Sequence, residues 1–195
     1  CASSTHNGEE KICALVHKKL KLKYKNLLTV IIPRHIERAK KIKNEMDELN
    51  LSTHIHSSTC KMNKNTDIYL VDAYGKTKTF FKTCKIVFLG GSLIKHGGQN
   101  PLEAVRYGCK ILHGSYIWNF EEIYALLENF NISNKVQNVS QMTKIIQNLL
   151  SKKNNTKFIK LKINNLGNKI LDNTFKEINL LIKKNENKKT KILGF

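Results

Sequence analysis

No apolar run in this 195-residue chain approaches the roughly 20 residues that span a bilayer as a helix. The longest, at 27–32, is strand-sized and is interrupted by Thr29. A secretory leader pattern is missing too, because Cys1 opens onto a polar Ser3-Ser4-Thr5-His6 stretch. Residue 1 is not a Met, so it is expected not to be a natural start. The five cysteines (1, 13, 60, 84 and 109) are odd in number and scattered, with no CxxC pair. That pattern excludes a disulfide framework and a cysteine-built zinc site, suits a reducing cytosol, and makes each cysteine structural. Aromatics are few, at 8%, and most lie in apparent core segments. A nucleic-acid binder that stacks bases between basic residues is therefore disfavoured.

Acid is also scarce. Fifteen Asp and Glu face 34 Lys and Arg, a net charge of +19. A basic surface attracts phosphate, whether in nucleic acid, anionic lipid or a nucleotide sugar. Lys and Asn fill the polar positions throughout, so compositional drift in an AT-rich genome gives the same excess. The charge is uneven, however: residues 151–195 hold 12 Lys against Asp172, Glu177 and Glu186, a local +9. Within that tail Ile170, Phe175, Ile178 and Ile182 are spaced to cover one helix face, with Lys176, Lys183 and Lys184 elsewhere.

What is present is alternation. Residues 27–32 form a continuous β-branched run ending at Pro33, which reads as a buried parallel strand. Helical spacing follows over 35–49, with Ile36, Ala39, Ile42 and Met46 on one side. A weak alternation at 52–57 and a strand at 67–71 come next, then a short helix at 77–84 and a buried strand at 86–89. A helix at 101–107, a strand at 109–112, a helix at 119–129 and a last strand at 136–139 complete the pattern, before helices at 140–152 and 166–184. Short apolar strands alternating with helices specify an α/β fold, a doubly wound, Rossmann-like parallel sheet of about six strands. The expected division is a ligand-binding domain over 1–150 and a basic helical extension over 151–195.

In such sheets ligands bind beyond the carboxyl ends of the strands, and three loops there stand out. Pro33-Arg34-His35 is either a helix-capping loop with an exposed Arg or a guanidinium fork placed where a phosphate would lie. Asp72-Ala73-Tyr74-Gly75-Lys76-Thr77 reads as a plain turn with Asp72 as an N-cap, or as a loop whose glycine lets the backbone approach a ligand. The loop from Gly90 to Ala104 is the richest, with Gly90, Gly91, Gly97 and Gly98 within nine residues. Asn100 can cap the helix that follows, Pro101 suits its first position, and Glu103 can accept two hydrogen bonds from a ribose diol. His54 and His56 share a strand face but lack a third ligand, and read as surface residues.

These segments resemble the 3-deoxy-D-manno-octulosonic acid (Kdo) transferases, whose C-terminal domain carries ASTHxGEE, PRHxER, GDTMGE, GGSLxxHGGxNPLE and an NF segment. This chain has Ser4-Thr5-His6-Asn7-Gly8-Glu9-Glu10, Pro33-Arg34-His35-Ile36-Glu37-Arg38, Asp72-Ala73-Tyr74-Gly75, the loop from Gly90 to Glu103, and Asn119-Phe120. Order and spacing agree across roughly 2–130. The resemblance implies the donor-binding half of a two-domain GT-B glycosyltransferase that moves Kdo from CMP-Kdo to a lipid A precursor. The work would be done at the cytoplasmic face of the bacterial inner membrane, in lipopolysaccharide synthesis, with an anionic membrane surface as a further partner. It implies CMP contacts from Pro33 and Arg34, from Gly75, Lys76 and Thr77, and from Asn100, Pro101, Leu102 and Glu103. Ser4, Thr5, His6, Glu9, Gly91, Ser92, Gly97 and Gly98 would support them. No metal or other cofactor is implied.

The chain departs from the family pattern at Val71-Asp72-Ala73-Tyr74-Gly75-Lys76, where a Gly is lost and Lys replaces Glu, and at Gln99, where the family has His. The acceptor domain that carries the family's general base lies outside this sequence, so the chain alone is expected to be inactive. The strand before STHxGEE is expected to be cut off at Cys1. Two other readings stay open: a GT-B domain for a different nucleotide sugar, and a non-catalytic basic module for nucleotides or anionic lipid.

Overall fold

The computed structural model describes residues 1–152 and 156–193, with side chains up to 182. A seven-stranded parallel sheet runs through the molecule. Its strands are β1 (Ala2–Thr5), β2 (Thr29–Pro33), β3 (Thr53–Ile55), β4 (Ile68–Leu70), β5 (Ile86–Leu89), β6 (Lys110–His113) and β7 (Ser133–Lys135). They are ordered β3-β4-β2-β1-β5-β6-β7. The chain therefore starts at the centre and winds outward twice, first through β2 and then, after crossing back, through β5. The point where the winding direction reverses lies at β1, between β2 and β5. In an open α/β sheet that is where a ligand crevice forms.

The helices are α1 (Glu9–Lys21), α2 (Ala39–Glu48), α3 (Thr77–Thr83), α4 (Leu102–Arg106), α5 (Glu121–Asn129), α6 (Val139–Ser151) and α7 (Thr156–Leu193), with a 3-10 turn at Ile36–Arg38. Side chains alternate across each strand, so the sheet feeds two layers. Phe88 and Leu112 join Val16 and Leu20 of α1, Ile42 and Met46 of α2, and Met142 of α6. Val87, Leu89 and Ile111 face the other way, toward Phe81 of α3, Val105 of α4, Tyr124 and Leu127 of α5, and Ile159 and Ile163 of α7. The first turns of α7 thus belong to the core. Farther on, Ile170, Phe175, Ile178 and Ile182 are exposed, as are Leu171, Leu180 and Leu181. The side chains of Lys183 and Lys184 lie outside the described residues.

The buried strands read from the sequence are present, and neither β2 nor β5 is an edge. Three differences have physical causes. The strand expected to be cut off at Cys1 is β1 itself, formed by the Ser-Thr segment and paired on both sides, Ala2 with Ile31 of β2 and with Phe88 of β5. Helix α1 was not read, because Glu9, Glu10 and His17 are buried and break its apolar stripe. The last strand is polar, Ser133–Lys135, rather than 136–139. Asn138 stops it: its side chain accepts from the Gln141 backbone N–H at 2.9 Å and starts α6 at Val139. Val136 still reaches the core, one residue past the strand.

Candidate functional site

The carboxyl ends of β1, β2 and β5 meet a cleft of about 520 Å³. Each wall comes from a different loop. Arg34 follows β2, Thr77 opens α3, and Asn100, Leu102 and Glu103 sit where the glycine loop enters α4. Ser3 and Ser4 of β1 complete it. Ser4 has a left-handed backbone, φ 55, where the β1–β2 register shifts between Ser3 and Thr5. A non-glycine residue held there is strained, and such strain collects at functional sites. The same kink brings β1 against β5: a Cβ on Gly90 would lie 2.3 Å from the Ser4 carbonyl oxygen, so that position admits only glycine.

Glu103 has two weak partners, the Thr77 hydroxyl, which donates to Oε2 at 3.5 Å, and Lys78 Nζ, 3.8 Å from Oε1. Both oxygens retain lone pairs for a ligand. Asn100 Oδ1 accepts the Leu102 backbone N–H at 2.9 Å, as a local turn, and Pro101 lies at the N-cap of α4 rather than at its first helical position. Because α3 has seven residues and α4 five, their dipoles are small. The positive charge in the cleft comes instead from guanidinium groups. Arg34 makes no ion pair with a carboxylate among the described residues, and the cleft holds a second arginine, Arg106.

Below the cleft a buried carboxylate builds the glycine loop. Glu9 is fully buried. Its Oε2 accepts the His6 and Gly91 backbone N–H groups at 2.9 and 2.8 Å, and its Oε1 those of Ser92 and Leu93 at 3.2 and 3.0 Å. Four charge-assisted hydrogen bonds from two loops hold the ends of β1 and β5 together. Ser92 Oγ donates to the Leu89 carbonyl at 2.5 Å and accepts the Gly114 N–H at 2.8 Å. Gly98 N–H donates to the Gly91 carbonyl at 2.9 Å, and Asn119 N–H to the Gly97 carbonyl at 3.2 Å, closing the loop on the Asn119-Phe120 segment. Glu10, also fully buried, is gripped by Arg38 through two contacts of 3.0 and 3.1 Å. Neither Glu9 nor Glu10 is therefore a free base.

Of the residues expected to touch a nucleotide, Arg34, Thr77, Asn100, Leu102 and Glu103 line the cleft together with Ser4. Pro33 is buried, paired opposite Thr5, and Pro101 is buried behind the α4 turn. Gly75 (φ 73) and Lys76 lie exposed on the loop before α3, outside the cleft lining. Thr5, His6, Glu9, Gly91, Ser92, Gly97 and Gly98 are buried beneath or beside the cleft. Sequence reasoning missed Gln99, Ser3 and Arg106. Arg106 had a legible signal, because it stands three residues after Glu103 and shares its helix face. His54 and His56 contact Tyr69, and among the described residues no three His, Cys, Asp or Glu side chains converge on a metal position. No described helix is long and apolar enough to cross a membrane.

No protein-family model matches the chain. A 3-deoxy-D-manno-octulosonic acid transferase of Haemophilus influenzae is 37% identical over 126 residues, which are 65% of this chain and 30% of that protein. One from Rickettsia prowazekii is 31% identical over 177 residues, 90% of this chain and 38% of the relative. The chain thus spans about a third of the length of the relatives it matches. The crystal structure of the C-terminal CMP-Kdo binding domain of WaaA from Acinetobacter baumannii superposes with a TM-score of 0.75 at 27% identity. That match covers 84% of this chain and 86% of that domain. In sequence and in fold, this chain is a counterpart of the C-terminal domain of the 3-deoxy-D-manno-octulosonic acid transferases.

Proposed function

We propose that the cleft between β1, β2 and β5 binds CMP-Kdo, and that the chain is the donor-binding part of an enzyme transferring Kdo to a lipid A precursor. The observation that carries this is the convergence of Arg34, Thr77, Asn100 and Glu103, from three separate loops, on one cleft at the sheet's reversal point. A cytidine nucleotide needs a carboxylate for its ribose diol and a cation for its phosphate, and the cleft offers Glu103 and Arg34. During transfer, negative charge grows on the departing phosphate, and Arg34 with Arg106 would hold it. The acceptor hydroxyl needs a general base. Glu9 and Glu10 are committed to other partners, so the base would come from an acceptor domain outside this sequence, and the chain alone would not catalyse transfer. The reading requires no metal.

Glu103→Ala is expected to weaken CMP binding by about 1–3 kcal/mol, the range for hydrogen bonds to a charged group. Calorimetry returning equal affinities for the variant and the parent chain would remove the ribose role.

The lipid acceptor places the enzyme at the cytoplasmic face of the inner membrane in this reading, with the basic stretch over 151–195 against anionic lipid. A Lys near such a surface contributes about 1 kcal/mol. Flotation with vesicles should then show binding that depends on anionic lipid and weakens with salt, and binding indifferent to lipid charge would contradict it.

A further inference from the structure

Beside the cleft, three imidazoles meet. His6 follows β1, His35 follows β2, and His96 lies in the loop after β5. The His6 ring centroid is 4.1 Å from that of His96 and 6.0 Å from that of His35. Only 8% of His6 is exposed, yet its Nε2 has no hydrogen-bond partner among the described residues. Folded proteins rarely leave such an atom unsatisfied, and where the chain does not satisfy it, water, an ion or a ligand completes it.

The surroundings show what kind of ligand. Gly91 (φ 67) faces the ring edge: a Cβ there would sit 3.4 Å from His6 Nε2 and 3.0 Å from His96 Cδ2. The missing side chain leaves room beside Nε2, and the exposed His96 ring packs against the same imidazole. Besides the imidazoles of His35 and His96, the titratable groups around His6 are Arg34, Arg38, Glu9, Glu10 and Glu37. Arg38 is paired with Glu10, Glu9 is spent on backbone N–H groups, and Glu37 lies 3.5 Å from His35. Arg34 remains without a carboxylate among the described residues. Burial first, and then His96, His35, Arg38 and Arg34, push the His6 pKa down to about 4. Burial and the neighbouring cations thus oppose protonation of His6, and the nearby carboxylates are held by Arg38, His35 and backbone N–H groups.

We propose that His6 Nε2 is the hydrogen-bond contact for an anionic oxygen of the donor, with His96 as the displaceable cover that leaves when the donor enters. The inference rests on the CMP reading of the cleft. A neutral His6 carrying its proton on Nε2 donates to that oxygen, and the anion in turn strengthens the ring's hold on a second proton. Binding below neutral pH is then accompanied by proton uptake at His6. Two sources supply the oxygen, the nucleotide phosphate and the carboxylate of the octulosonic acid.

The test compares cytidine, CMP and CMP-Kdo by calorimetry on the 195-residue chain, its His6→Gln and its His96→Ala variants. Nitrogen-15 spectra of the histidine rings in the parent chain, with and without CMP or CMP-Kdo, are the second measurement and need no variant to fold. His6→Gln should lose affinity for CMP roughly 10–100-fold, with cytidine unchanged, while His96→Ala keeps or gains affinity. The His6 titration should move upward on saturation. Loss confined to CMP-Kdo, with the titration moved by CMP-Kdo alone, would support the contact and assign the oxygen to the sugar carboxylate. Unchanged affinities for both nucleotides with an unmoved titration would overturn the contact and leave the CMP cleft standing. Failure of the parent chain to bind either nucleotide would remove the donor reading and this inference with it.

Discussion

The two ends of the sheet are built on opposite plans, and their buried histidines show the contrast most sharply. At the amino end, a cavity of about 280 Å³ is lined by apolar side chains such as Val16, Leu20, Ile86 and Met142. His17, on its border, is fully partnered: Nδ1 meets the Thr29 hydroxyl at 2.8 Å and Nε2 meets Asp67 Oδ1 at 3.3 Å. Asp67 in turn pairs with Lys21 at 3.0 Å and accepts the Ser52 N–H at 3.1 Å. At the carboxyl end, His6 is also buried, though less deeply, and carries a nitrogen with no partner among the described residues, near Arg34 and Arg38. A polar group that the chain itself satisfies is part of the scaffold. One that the chain leaves open, next to a cleft, is the atom that the proposed donor contact would satisfy.

The contrast can be broken most severely at Glu9, which anchors the carboxyl end. Glu9→Ala would strand four backbone N–H groups, three of them buried, and a stability loss on the order of 4 kcal/mol is expected. Urea unfolding gives the number, and a loss under about 1 kcal/mol would mean that the glycine loop holds itself.

Acid comes next. His6, His17 and His113 all have their pKa values lowered, chiefly by burial. Each folded-state pKa lies below the unfolded value near 6.5, so the unfolded chain binds the proton first as pH falls. Stability should therefore be complete above about pH 7 and fall as pH drops from 6.5 toward 4, with His6 alone accounting for on the order of 2 kcal/mol. Denaturation midpoints that hold flat across that window would contradict the buried neutral state of these rings.

A smaller effect separates the two histidines. His17→Ala should cost about 1–2 kcal/mol of stability through the lost Asp67 and Thr29 contacts and leave CMP affinity unchanged. Weakened CMP binding in that variant would show that the two ends are coupled and the contrast is too sharp.

How much of this was legible in the sequence follows the same division. The runs that became β2, β4 and β5 were readable because a strand buried on both faces is nearly all apolar. The loops after them were readable because glycines and an arginine in those places make no sense as core. Helix α1 was obscured by the residues that matter most to the site, since Glu9 and Glu10 are buried for their hydrogen bonds and not for their hydropathy. Strand β7 was obscured by position: an edge strand such as Ser133–Lys135 takes its order from pairing with β6 and needs no apolar pattern of its own. Gly75 and Lys76 were assigned to the site by motif position, and their loop stands outside the cleft lining because the sequence shows which loops converge but not how far each reaches in.

The central claim is that the carboxyl-end cleft, and not the apolar amino-end cavity, is the nucleotide site. An amide-resolved NMR titration of the 195-residue chain with CMP tests it in one experiment. The account predicts saturable shifts centred on Arg34, Thr77, Gly91, Asn100, Glu103 and Arg106, with Val16, Leu20 and Met142 unmoved. Shifts centred on those amino-end residues, or no saturable shift anywhere, would contradict it.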